Sequence, residues 1–184
     1  MKRTVILCAL IVSTLVGAQG TSAGAALDRL IAPPSVCAHQ ADFGARTAVQ
    51  LGAMRCLTNF ARARQGEAPL RGVGALDRAA AMKSADILRC DEFSHVACGR
   101  EFTFWMERVG YLDGGCATAG ENIAWGTGSL GSARHIFSAW IHSPGHRRNI
   151  LQGAFRDLGI GLRVGGLDGN PGAHVWTQQF GAHC

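Results

Sequence analysis

A basic head, a short apolar run and six later cysteines constrain this chain more than any other feature in it. Lys2 and Arg3 precede an apolar stretch from Thr4 to Val16, and the small residues Gly17, Ala18, Gly20, Ser22 and Ala23 follow. A membrane-crossing helix needs about 20 apolar residues, more than this run supplies. The layout is that of a secretory signal over residues 1–23, with cleavage after Ala18 or Ala23. Cys8 lies inside the apolar run, which argues against lipid attachment there. No second long apolar run follows, so a soluble, secreted or periplasmic product with no membrane span is expected.

Loss of Cys8 leaves Cys37, Cys56, Cys90, Cys98, Cys116 and Cys184. An even count in an exported chain reads as three disulfides, and their connectivity stays open at this level. Cys90 and Cys98 are near enough to close a small loop. Cys37–Cys56 and Cys116–Cys184 are adopted for the rest. The absence of a C-x-x-C pair argues against a zinc ribbon or a thioredoxin-like centre.

With 47% apolar residues and only 17% charged, the chain can bury a core. Its 25 glycines point to a compact, loop-rich domain. Without Lys2 and Arg3 the balance is 16 basic against 13 acidic residues. The basic residues are scattered and form no stripe with interleaved aromatics, so nucleic acid is not an expected partner. A monomer is the expected state.

Residues 24–47 are small and turn-rich around Ala32-Pro33-Pro34-Ser35 and read as an arm or linker ahead of a domain over 48–184. Helical spacing of Leu51, Met54, Leu57, Thr58 and Ala61 predicts a helix from Ala48 to Arg64, ended by Gly66 and Pro69. A second is predicted over Asp77–Arg89 and a short one over Phe102–Val109. A third long one runs over Ser132–Ser143, where Ala133, Ile136, Phe137, Trp140 and Ile141 form one stripe before Pro144-Gly145 stops it. Leu158, Ile160, Leu162 and Val164 alternate with glycines and Arg163, a strand period. Val175–Phe180 reads as a second strand, joined to the first by a glycine-rich loop over 165–172, and Glu121–Trp125 as a third. The fold class is α+β, with helices around a small antiparallel sheet.

Five segments then stand in order. They are Leu57-Thr-Asn59-x-x-Arg62-x-x-x-Gly66-x-x-Pro69-Leu70, Phe93-Ser94-His95 and Gly120-Glu121-Asn122-Ile123-Ala124. Trp140-x-x-Ser143-Pro144-Gly145-His146-Arg147-x-Asn149-Ile150-Leu151 follows, then Gly159-Ile160-Gly161 with Trp176-x-x-x-Phe180-Gly181. Together they resemble the CAP superfamily of cysteine-rich secretory, venom-antigen and pathogenesis-related proteins, in its short secreted bacterial form. The resemblance covers about residues 50–182. It implies an α-β-α sandwich and a shallow cavity that in the family carries two histidines and two glutamates, binding zinc or another divalent ion in some members. By position these are His95, His146 and Glu121. The second glutamate, three residues after the helix tryptophan in longer members, is replaced by Ser143.

The resemblance thus implies a secreted extracellular binding module, with His95 and His146 as metal ligands and Glu121 in support. Two imidazoles plus water suit Zn²⁺ at modest affinity. Two rival readings stand beside it. One is a metal-assisted hydrolase using Glu121 as base between His95 and His146; the other is a lipid or sterol binder. A Ser-His-Glu arrangement can be drawn with Ser94 or Ser143, but no G-x-S-x-G elbow supports it. Asn122 reads as a loop-fixing hydrogen bonder. His142 and His146 have metal-pair spacing, broken by Pro144-Gly145, and His142 reads as a surface residue. His39, His135, His174 and His183 carry no spacing argument. Trp125, Trp140 and Trp176 read as core.

Overall fold

The computed structural model of the chain describes residues 19–184. The basic head and apolar run of the expected signal, with Cys8, lie outside the described residues.

The helices predicted over Ala48–Arg64, Asp77–Arg89 and Ser132–Ser143 form with ends shifted by three residues or fewer, whereas the strands predicted over Glu121–Trp125 and Val175–Phe180 run on to Ala117–Thr127 and Asn170–His183. Helices α1 (Gln19–Asp28), α2 (Thr47–Arg64), α3 (Gly74–Cys90), α4 (Phe104–Arg108), α5 (Ala133–His142) and α6 (Pro144–Leu151) alternate with four strands. These are β1 (Arg71–Gly72), β2 (Ala117–Thr127), β3 (Asp157–Leu167) and β4 (Asn170–His183), in the sheet order β1-β3-β4-β2. The long pairings are antiparallel, and only the two-residue β1 runs parallel to β3.

The period of two divides each strand between two helical layers. Leu158, Ile160 and Leu162 of β3, with Trp176 and Phe180 of β4, face α2 and α5 in one core with Met54, Leu57, Phe137 and Trp140. The opposite face carries α3. There Gly159 and Gly161 let the helix lie directly on the strand: a Cβ at Gly159 would come within 2.1 Å of the Leu76 carbonyl carbon, and one at Gly161 within 2.3 Å of that of Ala80. Helices thus cover both faces of the sheet, an α-β-α sandwich.

Three expectations need correction. Residues 24–47 are not a loose arm: Leu30, Ala32 and Cys37 are buried in the main core, and Gln40 donates to the carbonyls of Ala32 and Cys37. The apolar residues in this stretch outweigh its turn chemistry. The segment 165–172 is not a long loop, because β3 and β4 run on to a two-residue turn at Asp168-Gly169, both at positive φ. That Asp-Gly pair is a hairpin signal in its own right. Finally, Pro144 ends α5 but also begins α6, since proline at a first helical position loses no hydrogen bond.

Disulfides join Cys37 to Cys56, Cys90 to Cys98 and Cys116 to Cys184. The first ties the N-terminal segment to α2, and the third clamps the start of β2 to the end of the chain. No helix among the described residues is long and apolar enough to cross a membrane.

Candidate functional site

The site lies over the free edge of β2, where residues from both layers meet. Odd-numbered residues of β2 point toward α3, and this puts Glu121 on that side. Its side chain is 1% exposed, and Oε1 lies 2.8 Å from Nδ1 of His95. Gln179, beside it on β4, donates from Nε2 to Glu121 Oε2 at 3.3 Å and lies equally close to the Phe102 carbonyl. A buried carboxylate held in this way fixes the tautomer and direction of an imidazole, leaving the other ring nitrogen outward. His95 itself is about half exposed.

The loop bearing His95 is fastened from below. The Cys90–Cys98 disulfide closes it, and Lys83 of α3 donates from Nζ to the His95 carbonyl at 2.6 Å. Lys83 is 1% exposed; burial lowers its pKa from the ordinary value, and the charges of Glu121 and Asp86 push the other way. Asp86 is buried one turn further along α3. It accepts both oxygens' worth of bonds from Arg100, and others from Arg89 and the Trp105 indole N–H.

His146 approaches the same strand edge from the other layer, on the first turn of α6. Asn122 donates to its backbone carbonyl, while Asn149 donates to the Glu121 carbonyl and to Asn122 Oδ1. The hollow at His146 is about 280 Å³ and is lined also by Phe93, Trp125, Trp140 and Ser143. Burial lowers the His146 pKa, and the neighbouring His95 lowers it further. In metal-free buffer, the NMR titration midpoint of His146 is expected below 6.5, and His95→Ala should raise it part of the way. The unfolded chain takes up this proton first as pH falls. The stability tied to neutral His146 is therefore whole above about 6.5 and lost as pH drops through the folded midpoint. A midpoint at or above 6.5 would contradict the burial.

The structure thus gathers His95, Glu121 and His146 at one strand edge, with Glu121 bonded to His95. Ser143 lines the hollow, but among the described residues no hydrogen bond joins Ser143 or Ser94 to an imidazole. Ser94 Oγ instead accepts from the Val96 N–H within its own loop. Asn122 is buried and does fix the α6 turn. Trp140 and Trp176 are core, with indole N–H groups on the carbonyls of Ile123 and Gly131. Trp125 is only partly buried and forms a wall of the hollow, because it projects at an uncovered strand edge. His142 is exposed, with its Nδ1 on the Ser138 carbonyl.

Lys83, Asp86 and Gln179 carry no role in the sequence analysis, and Asn149 stands there only as a motif position. Lys83 had a signal: it interrupts the stripe formed by Leu76, Ala79, Ala80 and Ile87 on α3. A lysine there must be paired or misplaced. Gln178-Gln179 inside an apolar strand is a signal of the same kind.

Comparison with known proteins bears on this geometry. The family model for CAP, the cysteine-rich secretory protein family, matches residues 57–180. The uncharacterized protein YkwD of Bacillus subtilis (strain 168) is 35% identical over 127 residues, covering 67% of this chain and 44% of the relative. The chain therefore spans less than half the length of that relative. An extracellular protein containing an SCP domain from Bacillus anthracis superposes with a TM-score of 0.58 at 24% identity, over 74% of this chain and 43% of that one. An outer surface protein of Borrelia burgdorferi gives 0.62 at 15% identity, over 76% and 97%. A cysteine-rich secretory protein of Staphylococcus aureus gives 0.54 at 17%, over 71% and 37%. Identities this low carry the fold alone. The matched family model covers well over half of the sequence and contains all three residues gathered at the β2 edge, and the chain belongs to the CAP family.

Proposed function

We propose that this chain is a secreted, extracellular binding module whose ligand seats in the hollow at the β2 edge. The observation that carries the reading is the buried Glu121 carboxylate bonded to His95 in a loop closed by a disulfide, a loop whose Phe93 lines the hollow at His146. Burying a carboxylate is costly, and a fold that spends it on orienting a half-exposed imidazole presents that imidazole to something outside.

The donor set also bears on a metal ion. Among the described residues no group of three or more His, Cys, Asp or Glu side chains is arranged to hold one. His95 and His146 are the pair offered to a divalent cation such as Zn²⁺, with Glu121 behind His95 rather than on the ion. Such a pair makes an open, exchangeable site that water or a bound partner completes. The metal-assisted hydrolase reading asks Glu121 to act as base toward a water between His95 and His146, whereas its carboxylate is buried and taken up by His95 and Gln179.

Calorimetric titration of the purified protein with zinc alone is expected to show one weak, saturable site. His95→Ala or His146→Ala should abolish it, and Glu121→Gln should weaken it by about tenfold or more. A flat trace with wild-type protein, or binding that survives both histidine substitutions, would remove His95 and His146 as the ligand pair.

A further inference from the structure

The edge of β2 carries a second feature that the two histidines do not use. Backbone hydrogen bonds at the sheet's margins fix which way each strand residue points. Cys184 N–H bonds the Cys116 carbonyl across β4 and β2, while the Gly181 carbonyl serves Arg156 on the β3 side. In an antiparallel ladder this alternation continues along the strand. Even-numbered residues of β2 therefore pair with β4, and Glu121, Ile123 and Trp125 present their N–H and C=O groups outward. Two of these carbonyls are met: Asn149 donates to that of Glu121 and the Trp140 indole to that of Ile123. Among the described residues, no group pairs with the N–H of Ile123 or with the N–H and C=O of Trp125.

These groups lie along a groove. The hollow at His146 shares Ala124, Trp125 and Ala139 with a second hollow of about 340 Å³ that continues past Leu130, His135 and Ile136. Because Ala124 and Trp125 project to opposite faces of the sheet and both line it, the groove runs astride the strand edge. Helix α5 forms one wall; Phe93, Trp125 and Asn170 form the other. Phe93 and Leu130 are large apolar side chains left 46% and 52% exposed.

We infer that this groove docks an extended polypeptide segment, which adds to the sheet as a strand beside β2. The inference rests on the reading of the chain as a binding module and names its partner class. The Ile123 N–H and the Trp125 N–H and C=O form a short uncovered stretch of strand edge, which another extended backbone can meet. A lipid chain would leave those groups unpaired at a site it had dried. The two hollows take apolar side chains projecting from the incoming strand, and the end of the groove brings that strand past His146.

The test is selection from a phage-displayed library of random linear peptides against the purified protein. Selected peptides should carry apolar residues in alternation. N-methylation of one alternate set of their backbone amides should weaken binding by about tenfold or more, and of the other set hardly at all. Hydrogen exchange at the Trp125 amide should slow in the complex. Leu130→Arg and Ala139→Arg, both at exposed positions, should weaken the same peptides without unfolding the protein. An empty selection, or peptides indifferent to N-methylation, would overturn the inference. So would protection of Trp125 by self-association of the chain alone. Zinc titration of the same preparation separates the two readings: strand docking lost with zinc binding intact sinks this inference only, and loss of both sinks the binding module as well.

Discussion

Gly159→Ala is expected to destabilise the protein by about 3 kcal/mol or more, although alanine normally costs nothing in a strand. The new methyl would stand 2.1 Å from the Leu76 carbonyl carbon and 2.3 Å from its oxygen. Those atoms are helix backbone, so no side-chain rotation relieves the clash. Helix α3 must move away from β3, opening the contacts of Leu76, Ala79 and Ala80 on that face. Gly161→Ala should act alike, against the carbonyl of Ala80 at 2.3 Å. The two share one response, a displaced helix. The double variant should therefore cost clearly less than the sum of the single ones. Urea denaturation with disulfides intact measures all three. A cost below about 1 kcal/mol for Gly159→Ala would mean that α3 does not rest on the strand.

Asp86→Ala should be the second large loss, about 3 kcal/mol. Its carboxylate is 3% exposed and joins Arg100 through both oxygens, Arg89 at 2.6 Å and the Trp105 indole at 2.7 Å. Removing it strands these donors around a low-dielectric pocket. Arg89 and Arg100 keep 58% and 31% of their side-chain surface in water, which holds the cost at the lower end of the range for broken buried pairs. The effect should reach the site, because this cluster joins α3 to the segment following the Cys90–Cys98 loop. The zinc binding proposed for His95 and His146 should weaken in the folded fraction at low temperature. Asp86→Asn keeps the shape and half of the acceptors, and should recover part of both losses. Stability unchanged in Asp86→Ala would show the cluster to be a solvated surface network.

The two changes differ in what the sequence offered. Gly159 and Gly161 alternate with Leu158, Ile160 and Leu162, so a strand with one side-chain-free face was legible before any coordinates. What rests on that face was not. Asp86 looked like one more polar residue on an amphipathic helix. Arg89 is three positions on in the same helix, but Arg100 and Trp105 lie 14 and 19 positions further on, in a stretch with weak periodicity. Position along the chain gives no account of such a cluster, because the residues meet only after the loop has folded back.

The same division runs through the site. Each of His95, Glu121 and His146 belonged to a short motif, and the helices and strands that bear the first order of the fold follow from local periodicity, which chain neighbours enforce. Residues 24–47 pack into the core against a local turn signal, and Pro144 opens α6 as well as ending α5 because a proline at the first helical position loses no hydrogen bond. Only the assembled molecule decided that the carboxylate orients His95 and leaves His146 to the opposite layer. It alone decided that Lys83 supports the loop from within, and that the Trp125 edge stays uncovered. Those outcomes depend on strand order and on which layer each side chain enters, and both are set by long-range packing that no window of sequence contains.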